Sequence, residues 1–346
     1  MKLLKEITKS IGNLDVKAME KAQERLDNLT KPPGSLGYLE DLAVKMAGIT
    51  GEVFPDISQK EHVIMVGDHG VVKEGVSAFP QSITKAMVKN FLNGGAAVNV
   101  LARQYDVNIS IVDIGMVEKV KEDGILNANI KKGTDNLLVG PAMSKTEAVK
   151  SIETGIEITE KLIKEGAKVI GTGEMGIGNT TPSSAIIKAA TNLSLAEVVG
   201  YGTGLDEKGL ENKKNIIQRA INVNQPKEDD GIDILRKVGG LEIGGMAGVM
   251  LAGAKARKPV LIDGLISAAA ALIAYLIEPK VVHFLIPSHK SVEPGHEKLY
   301  QFLDMRPMFD LDMRLGEGTG AILGMGIMES SNRIIKEMAT FDTLDF

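Results

Sequence analysis

KVIGTGEMGIGNTTP, residues 168–182, is a short apolar run that ends in glycines and then gives way to a helix-forming segment. Lys168 to Thr172 has the character of a buried strand, and the apolar spacing beyond the glycines predicts a helix over Pro182 to Ala190. Thr181 can cap that helix, with Pro182 at its first position, where a missing N–H costs nothing. Strand, glycine turn and helix in this order form one step of a parallel sheet, and the helix start presents free N–H groups to a phosphate or carboxylate. The segment reads equally as a tight connection without a ligand. Its glycine spacing fits neither a Walker A loop nor a dinucleotide fingerprint.

The same rhythm recurs on both sides. His62 to Val66, Ile109 to Asp113, Val260 to Asp263 and Val281 to Ile286 are further candidate strands, each ending near Gly or Asp or leading into a helix-length segment. Helices are predicted over Ile83 to Ala102, Glu147 to Lys164, Gly209 to Ile221, Ile243 to Ala254 and Leu265 to Ile277, enough to cover both faces of a sheet. Asn224 to Asp230 reads as a connecting loop. Before the first strand, Asp15 to Asp27 and Leu36 to Ala47 have helical spacing around the turn Lys31-Pro32-Pro33-Gly34. After the last, Glu293 to Leu303 and Ala321 to Met338 are helical with no clear strand between them. The fold class expected is α/β: a Rossmann-like parallel sheet covered by helices, with a smaller helical domain formed by both chain ends. The expected division is 1–55 and 291–346 for the small domain and 56–290 for the large one.

Composition narrows the function. The 346 residues carry 40 basic and 45 acidic side chains, a net charge of -5, and no basic block, which disfavours nucleic acid as a partner. There is no cysteine, hence no disulfide, thiolate metal site or cysteine nucleophile, and the five histidines are too dispersed to predict a metal cluster. Leu265 to Ile277 falls short of the roughly 20 apolar residues that span a bilayer. Met1 to Ile11 lacks the apolar core of an export signal, so the cytoplasm is the expected location.

Other segments carry candidate chemistry. Gly200-Tyr201-Gly202-Thr203-Gly204-Leu205-Asp206 precedes a helix that Asp206 can cap. Gly202 offers close backbone approach, and Lys213 on that helix offers a mobile positive charge to a phosphate, or is a solvated surface lysine. Ser291, beyond a strand end, either donates to phosphate or caps the next helix. Asp68-His69 is an acid and a base side by side, but neighbours in sequence need not face each other. Phe79, in Gly75-Val76-Ser77-Ala78-Phe79-Pro80, packs on a planar ligand or in the core. In Arg314-Leu315-Gly316-Glu317-Gly318-Thr319-Gly320 the flanking glycines allow close approach to an aimed carboxylate. Partial burial would lift the Glu317 pKa toward neutrality and suit it to act as a base, and a capping or salt-bridge role stands beside that reading.

Taken in order, KPPGSLG from Lys31, DHGV from Asp68, GEMGIGNTTP from Gly173, VVGYGTGLD from Val198, NQPKEDDGIDIL from Asn224, GGLEIGGMAGVMLAGA from Gly239, LIDGL from Leu261, LIPSHKS from Leu285 and RLGEGTGA from Arg314 resemble the nicotinate-nucleotide:5,6-dimethylbenzimidazole phosphoribosyltransferases. The resemblance extends over most of the chain. It implies transfer of the 5-phosphoribosyl group from nicotinate mononucleotide to 5,6-dimethylbenzimidazole or a related base, in assembly of the cobamide lower ligand. The products would be nicotinate and α-ribazole 5'-phosphate, formed with inversion. It also implies Glu317 as general base, Glu174 on the nicotinate side, and Gly176, Gly202, Lys213 and Ser291 around the phosphate. Phe79 and Leu315 would lie on the acceptor side. A homodimer is implied, and no metal or cofactor. Two other readings have a discriminating feature: an inactive nucleotide sensor would have no use for Glu317, and an NAD-linked oxidoreductase would need the dinucleotide glycine pattern that is missing.

Overall fold

The computed structural model describes residues 1–202 and 204–343. Six strands, β1 (Lys60–Gly67), β2 (Val107–Gly115), β3 (Ile125–Asn127), β4 (Val169–Met175), β5 (Val260–Ile262) and β6 (Leu285–Pro287), form one sheet in the order β3-β2-β1-β4-β5-β6, all pairs parallel. A two-stranded pair, β7 (His289–Lys290) and β8 (Phe309–Asp310), lies beyond β6. The helices in chain order are α1 (Lys2–Ser10), α2 (Val16–Asp27), α3 (Tyr38–Thr50), α4 (Ser82–Leu92), α5 (Ala97–Tyr105), α6 (Lys145–Lys164), α7 (Thr180–Ala190), α8 (Leu195–Val198), α9 (Glu207–Asn224), α10 (Gly231–Val238), α11 (Leu241–Lys255), α12 (Leu265–Ile277), α13 (Pro294–Phe302) and α14 (Thr319–Glu337).

Side-chain alternation along β4 divides the helices between the two faces. The Thr172 hydroxyl bonds with Ser267 of α12, whereas Gly171 and Gly173 turn the other way, toward His62, Met325 of α14 and the Glu317 backbone. Helices α11 and α12 cover the first face, with α6 packed on α11; α5 and α14 lie on the second. Helices α6 and α11 approach so closely that a methyl group on Gly155 would collide with the Gly245 carbonyl, and one on Gly248 with the Ile152 carbonyl. That contact explains the small residues of GGLEIGGMAG. Nearly all of α11 and α12 is buried, as a helix with apolar residues all round must be.

A second apolar cluster joins the chain ends, with Ala18, Ala22 and Leu26 of α2 and Ala43 and Ala47 of α3 packed against Ile335 of α14. The Arg25 guanidinium extends the junction by donating to the carbonyls of Ile335 and Met338. The parallel sheet and the additional helical region from both termini are thus present. Among the described residues, no helix is long and apolar enough to cross a membrane.

Several local expectations need correction. Ile83 to Ala102 is two helices, α4 and α5, separated where Gly94 adopts φ 71°. Val281 to Phe284 is a 3-10 turn, and the strand starts only at Leu285. Strand β8 lies between the last two helices, where no strand was expected, and α10 follows directly on the Asn224 to Asp230 loop, capped by the Asp230 carboxylate on the Asp233 N–H. Helix α7 starts at Thr180, so Thr181 lies inside it, its hydroxyl without a hydrogen-bond partner among the described residues, and does not cap it. Pro182 is still within the first turn, where its lack of an N–H is tolerated.

Candidate active site

In the order β3-β2-β1-β4-β5-β6 the chain leaves β1 toward one edge and returns at β4 to build the other. The crevice beyond the C-terminal ends of β1 and β4 is therefore the topological switch point of the sheet. A cavity of about 400 Å³ opens beside this crevice. Its lining includes Phe79, Glu174, Gly176, Asn179, Thr180, Gly202, Asp263, His289, Ser291, Glu293, Leu315 and Glu317. Chain segments far apart in sequence thus supply one site, as befits a pocket built on strand ends.

Glu317 is held in a rarely used backbone conformation. Gly316, Glu317 and Gly318 have φ of 85°, 63° and 86°, three left-handed residues in succession, of which only the glutamate bears a steric penalty. The loop is fastened from two sides. A His62 ring nitrogen lies 3.0 Å from the Glu317 carbonyl oxygen, and Asp263, just past β5, accepts from the N–H groups of Gly318 (3.1 Å), Gly320 (2.8 Å) and Ala321 (3.3 Å). Asp263 thereby satisfies the N-terminus of α14 while fixing the approach of Glu317. Burial lifts the Glu317 carboxyl to about 7, the Val98 amide opposing this rise and the Asp263 charge adding to it. One of its oxygens, Oε2, is buried with no hydrogen-bond partner among the described residues.

Glu174 ends β4 opposite Met65 of β1 and is also buried. Burial, then the charges of Asp263 and Glu242, raise its carboxyl to about 8, even though the Asn179 amide donates to it. The two glutamates face the same cavity, and burial holds both carboxyls far above the usual carboxylate range, Glu174 the more so.

The anion-donor side lies at the starts of α7 and α9. A methyl group on Gly176 would collide with the Gly67 carbonyl, so only glycine fits there; Gly202 has φ 55°. Thr203, beside it, lies outside the described residues. Asp206 caps α9 as expected, accepting from the Gly209 N–H at 2.8 Å. Lys213 is neither mobile nor on the surface. It is fully buried behind Thr180 and Gly202, its Nζ donating to the Thr180 hydroxyl at 2.8 Å and the Gly200 carbonyl at 3.3 Å. Burial lowers it to about 8, with the Glu293 carboxylate acting in the opposite direction. The Ser291 N–H donates to His296 Nδ1 at 3.0 Å, and its hydroxyl accepts from the Glu293 N–H at 3.4 Å.

Asp68 and His69 do not form a pair. Asp68 accepts from the Val117 N–H at 2.8 Å, while His69 turns beneath the cavity floor to Glu242 Oε1, 2.9 Å away. Burial disfavours the charged imidazole, but the Glu242 carboxylate outweighs it and raises the His69 pKa. Phe79 is 50% exposed and Leu315 58% exposed, which settles the alternative for Phe79 against core packing and places both side chains at the cavity mouth.

Four residues at or just beneath the site were passed over in the sequence. Asp263 carries a signal, an Asp-Gly directly after a strand; Asn179, Glu242 and Glu293 carry none, because their partners are brought to them only by the fold.

The phosphoribosyltransferase family profile matches residues 11–344. The nicotinate-nucleotide–dimethylbenzimidazole phosphoribosyltransferase of Halalkalibacterium halodurans is 50% identical over 342 residues, covering 99% of this chain and 96% of that protein. The enzyme of the same name from Desulforamulus reducens is also 50% identical, over 99% and 98% of the two chains. The crystal structure of the Thermus thermophilus nicotinate-nucleotide-dimethylbenzimidazole phosphoribosyltransferase superposes with a TM-score of 0.90 at 40% identity, covering 95% of this chain and 98% of that one. Sequence and fold agree along essentially the whole length, and the chain belongs to the nicotinate-nucleotide–dimethylbenzimidazole phosphoribosyltransferase family of enzymes.

Proposed function

We propose that this enzyme transfers the 5-phosphoribosyl group of nicotinate mononucleotide to 5,6-dimethylbenzimidazole or a related base, releasing nicotinate and α-ribazole 5'-phosphate. The observation that carries this reading is the Glu317 carboxyl, near neutrality in a cavity that is also lined by Gly176, Gly202 and Ser291. The relatives named above bear the same reaction in their names.

The donor's pyridinium nitrogen takes the electrons of the C–N bond and becomes the neutral ring nitrogen of nicotinate, so the leaving group needs no proton. As that bond breaks, one benzimidazole ring nitrogen attacks the ribosyl carbon from the opposite face, which inverts the centre from β to α. Glu317 accepts the proton from the other ring nitrogen, keeping the product neutral at the ring. Glu174, uncharged at neutral pH, sits on the nicotinate side, where an acid can donate a hydrogen bond to the nicotinate carboxylate and an ionised one would repel it. The Gly176 and Gly202 backbone, Lys213 and Ser291 hold the phosphate, and Phe79 and Leu315 flank the acceptor.

The protein works in the cytoplasm as a homodimer, with residues 1–55 and 291–346 forming a small helical domain beside a large domain of residues 56–290. Incubation of the purified protein with nicotinate mononucleotide and a panel of benzimidazoles, with identification of products, tests the reaction. Formation of an α-ribazole 5'-phosphate is expected, and absence of any phosphoribosylated base would refute it. Solution mass tests the dimer: a fully active monomer at every assay concentration would reject it.

A further inference from the structure

Glu293 precedes α13 and is 8% exposed on the cavity wall. Its Oε1 accepts from the Gly202 N–H at 2.9 Å, and its Oε2 is buried with no hydrogen-bond partner among the described residues. The carboxylate also lies close enough to Lys213 to favour the charged ammonium. An anion thus already engages the backbone donor, and stands near the buried cation, to which the donor phosphate has been assigned. Among the described residues it is held by one hydrogen bond to its side chain and leaves Oε2 without a partner, a poor match for a buried carboxylate.

We propose that Glu293 is an affinity-setting residue of the donor site, an internal competitor whose carboxylate must release the Gly202 N–H before a substrate phosphate can take it. The inference rests on the reading of Gly176, Gly202, Lys213 and Ser291 as the phosphate site. Glu293 and Ser291 share one loop, and Ser291 engages the Glu293 N–H only as an acceptor, leaving its hydroxyl proton available to a phosphate oxygen. Displacement of the Glu293 side chain is therefore compatible with Ser291 staying in place. The competition weakens the phosphorylated donor and the phosphorylated product alike, because both present the same monoester. Its consequence is faster product departure at the expense of donor affinity, with the bond-breaking step itself untouched.

The test is Glu293→Gln, which keeps the shape and an oxygen acceptor for Gly202 while removing the charge that competes with phosphate. Binding of inorganic phosphate and of nicotinate mononucleotide is measured by calorimetry in the wild type, Glu293→Gln and Glu293→Ala. Both variants are expected to bind each phosphate ligand about tenfold more tightly, the order of a single charge-assisted contact. Binding of the benzimidazole base, which has no phosphate, is expected to stay unchanged. Equal or weaker phosphate binding by a folded Glu293→Gln would overturn the proposal and mark Glu293 as a clamp on the Gly202 loop. A parallel arm with Lys213→Ala, its fold checked by circular dichroism, separates the two layers of the argument. If phosphate binding survives that change undiminished, the phosphate site lies elsewhere and the reading beneath the inference fails. If it is lost there while Glu293→Gln leaves affinity unaltered, the competitor role alone is refuted.

Discussion

Replacing Glu317 with Gln preserves side-chain length and a carbonyl acceptor while removing the ability to take a proton. The backbone constraints survive, since the His62 contact and the Asp263 hydrogen bonds engage main-chain atoms of the loop and not the Glu317 carboxyl. The loss is therefore chemical. Removal of a positioned base lowers turnover on the order of 10²–10⁴-fold, or about 3–5 kcal/mol of transition-state stabilisation. The carboxyl at about 7 adds a second signature. Only the ionised form is a base, so about half of the enzyme is competent at pH 7, about a tenth at pH 6 and about a hundredth at pH 5. Wild-type turnover at saturating donor and acceptor should fall along that curve below neutrality, and the small residual turnover of Glu317→Gln should not. The assay is product formation between pH 5 and 9, with nicotinate mononucleotide binding and circular dichroism as controls. A folded variant that turns over at close to the wild-type rate would remove Glu317 from the base role. A variant that loses activity but keeps the wild-type acid limb would assign that limb to another group.

Donor kcat/KM should be bell-shaped in pH: Glu317 is protonated below about 7, while above about 8 Lys213 loses its charge and Glu174 gains one, both unfavourable to an anionic donor. A plateau extending to pH 10 would refute the alkaline half. Glu174 also makes the fold sensitive to pH, because its folded pKa of about 8 lies above its ordinary 4.5. Its contribution to stability is fully present below the unfolded value and is lost as pH rises toward 8. Glu174→Gln should therefore be more stable than wild type by about 3 kcal/mol at pH 7 and indistinguishable near pH 4, as read by denaturant titration. Asp263→Ala strands the N–H groups of Gly318, Gly320 and Ala321, so both stability, by about 3 kcal/mol, and turnover should fall together; unchanged turnover would show that Glu317 does not depend on that anchor.

Features written within one short segment were readable from the sequence. The 168–182 stretch announces strand, turn and helix because each part is local, and Leu265 to Ile277 matches α12 to the residue. Glycines on both sides of Glu317 mark a close-approach loop for the same reason, while the left-handed backbone of Glu317 itself emerges only in the fold. Boundaries failed where tertiary packing or turn chemistry decided them: the start of α7, the break before α5 and the late start of β6. Lys213 looks like a surface lysine because its helix carries charge all along; only the return of the 200–202 loop and Thr180 over it makes it buried. The acid that faces His69 was not legible next door at Asp68, because it arrives from Glu242 on a helix far along the chain.

The loop that carries Glu317 belongs to the final stretch of the 346 residues, yet its fastenings, His62 and Asp263, are synthesised much earlier. Five of the six main-sheet strands precede residue 263, so much of the core can assemble during synthesis while the histidine and aspartate wait without their partners. Docking of α14 then supplies the backbone donors and the carboxyl in a single event. The proposed base and the partners of His62 and Asp263 therefore reach the site on one loop, so that a change which undocks α14 removes the Glu317 carboxyl and its anchors together.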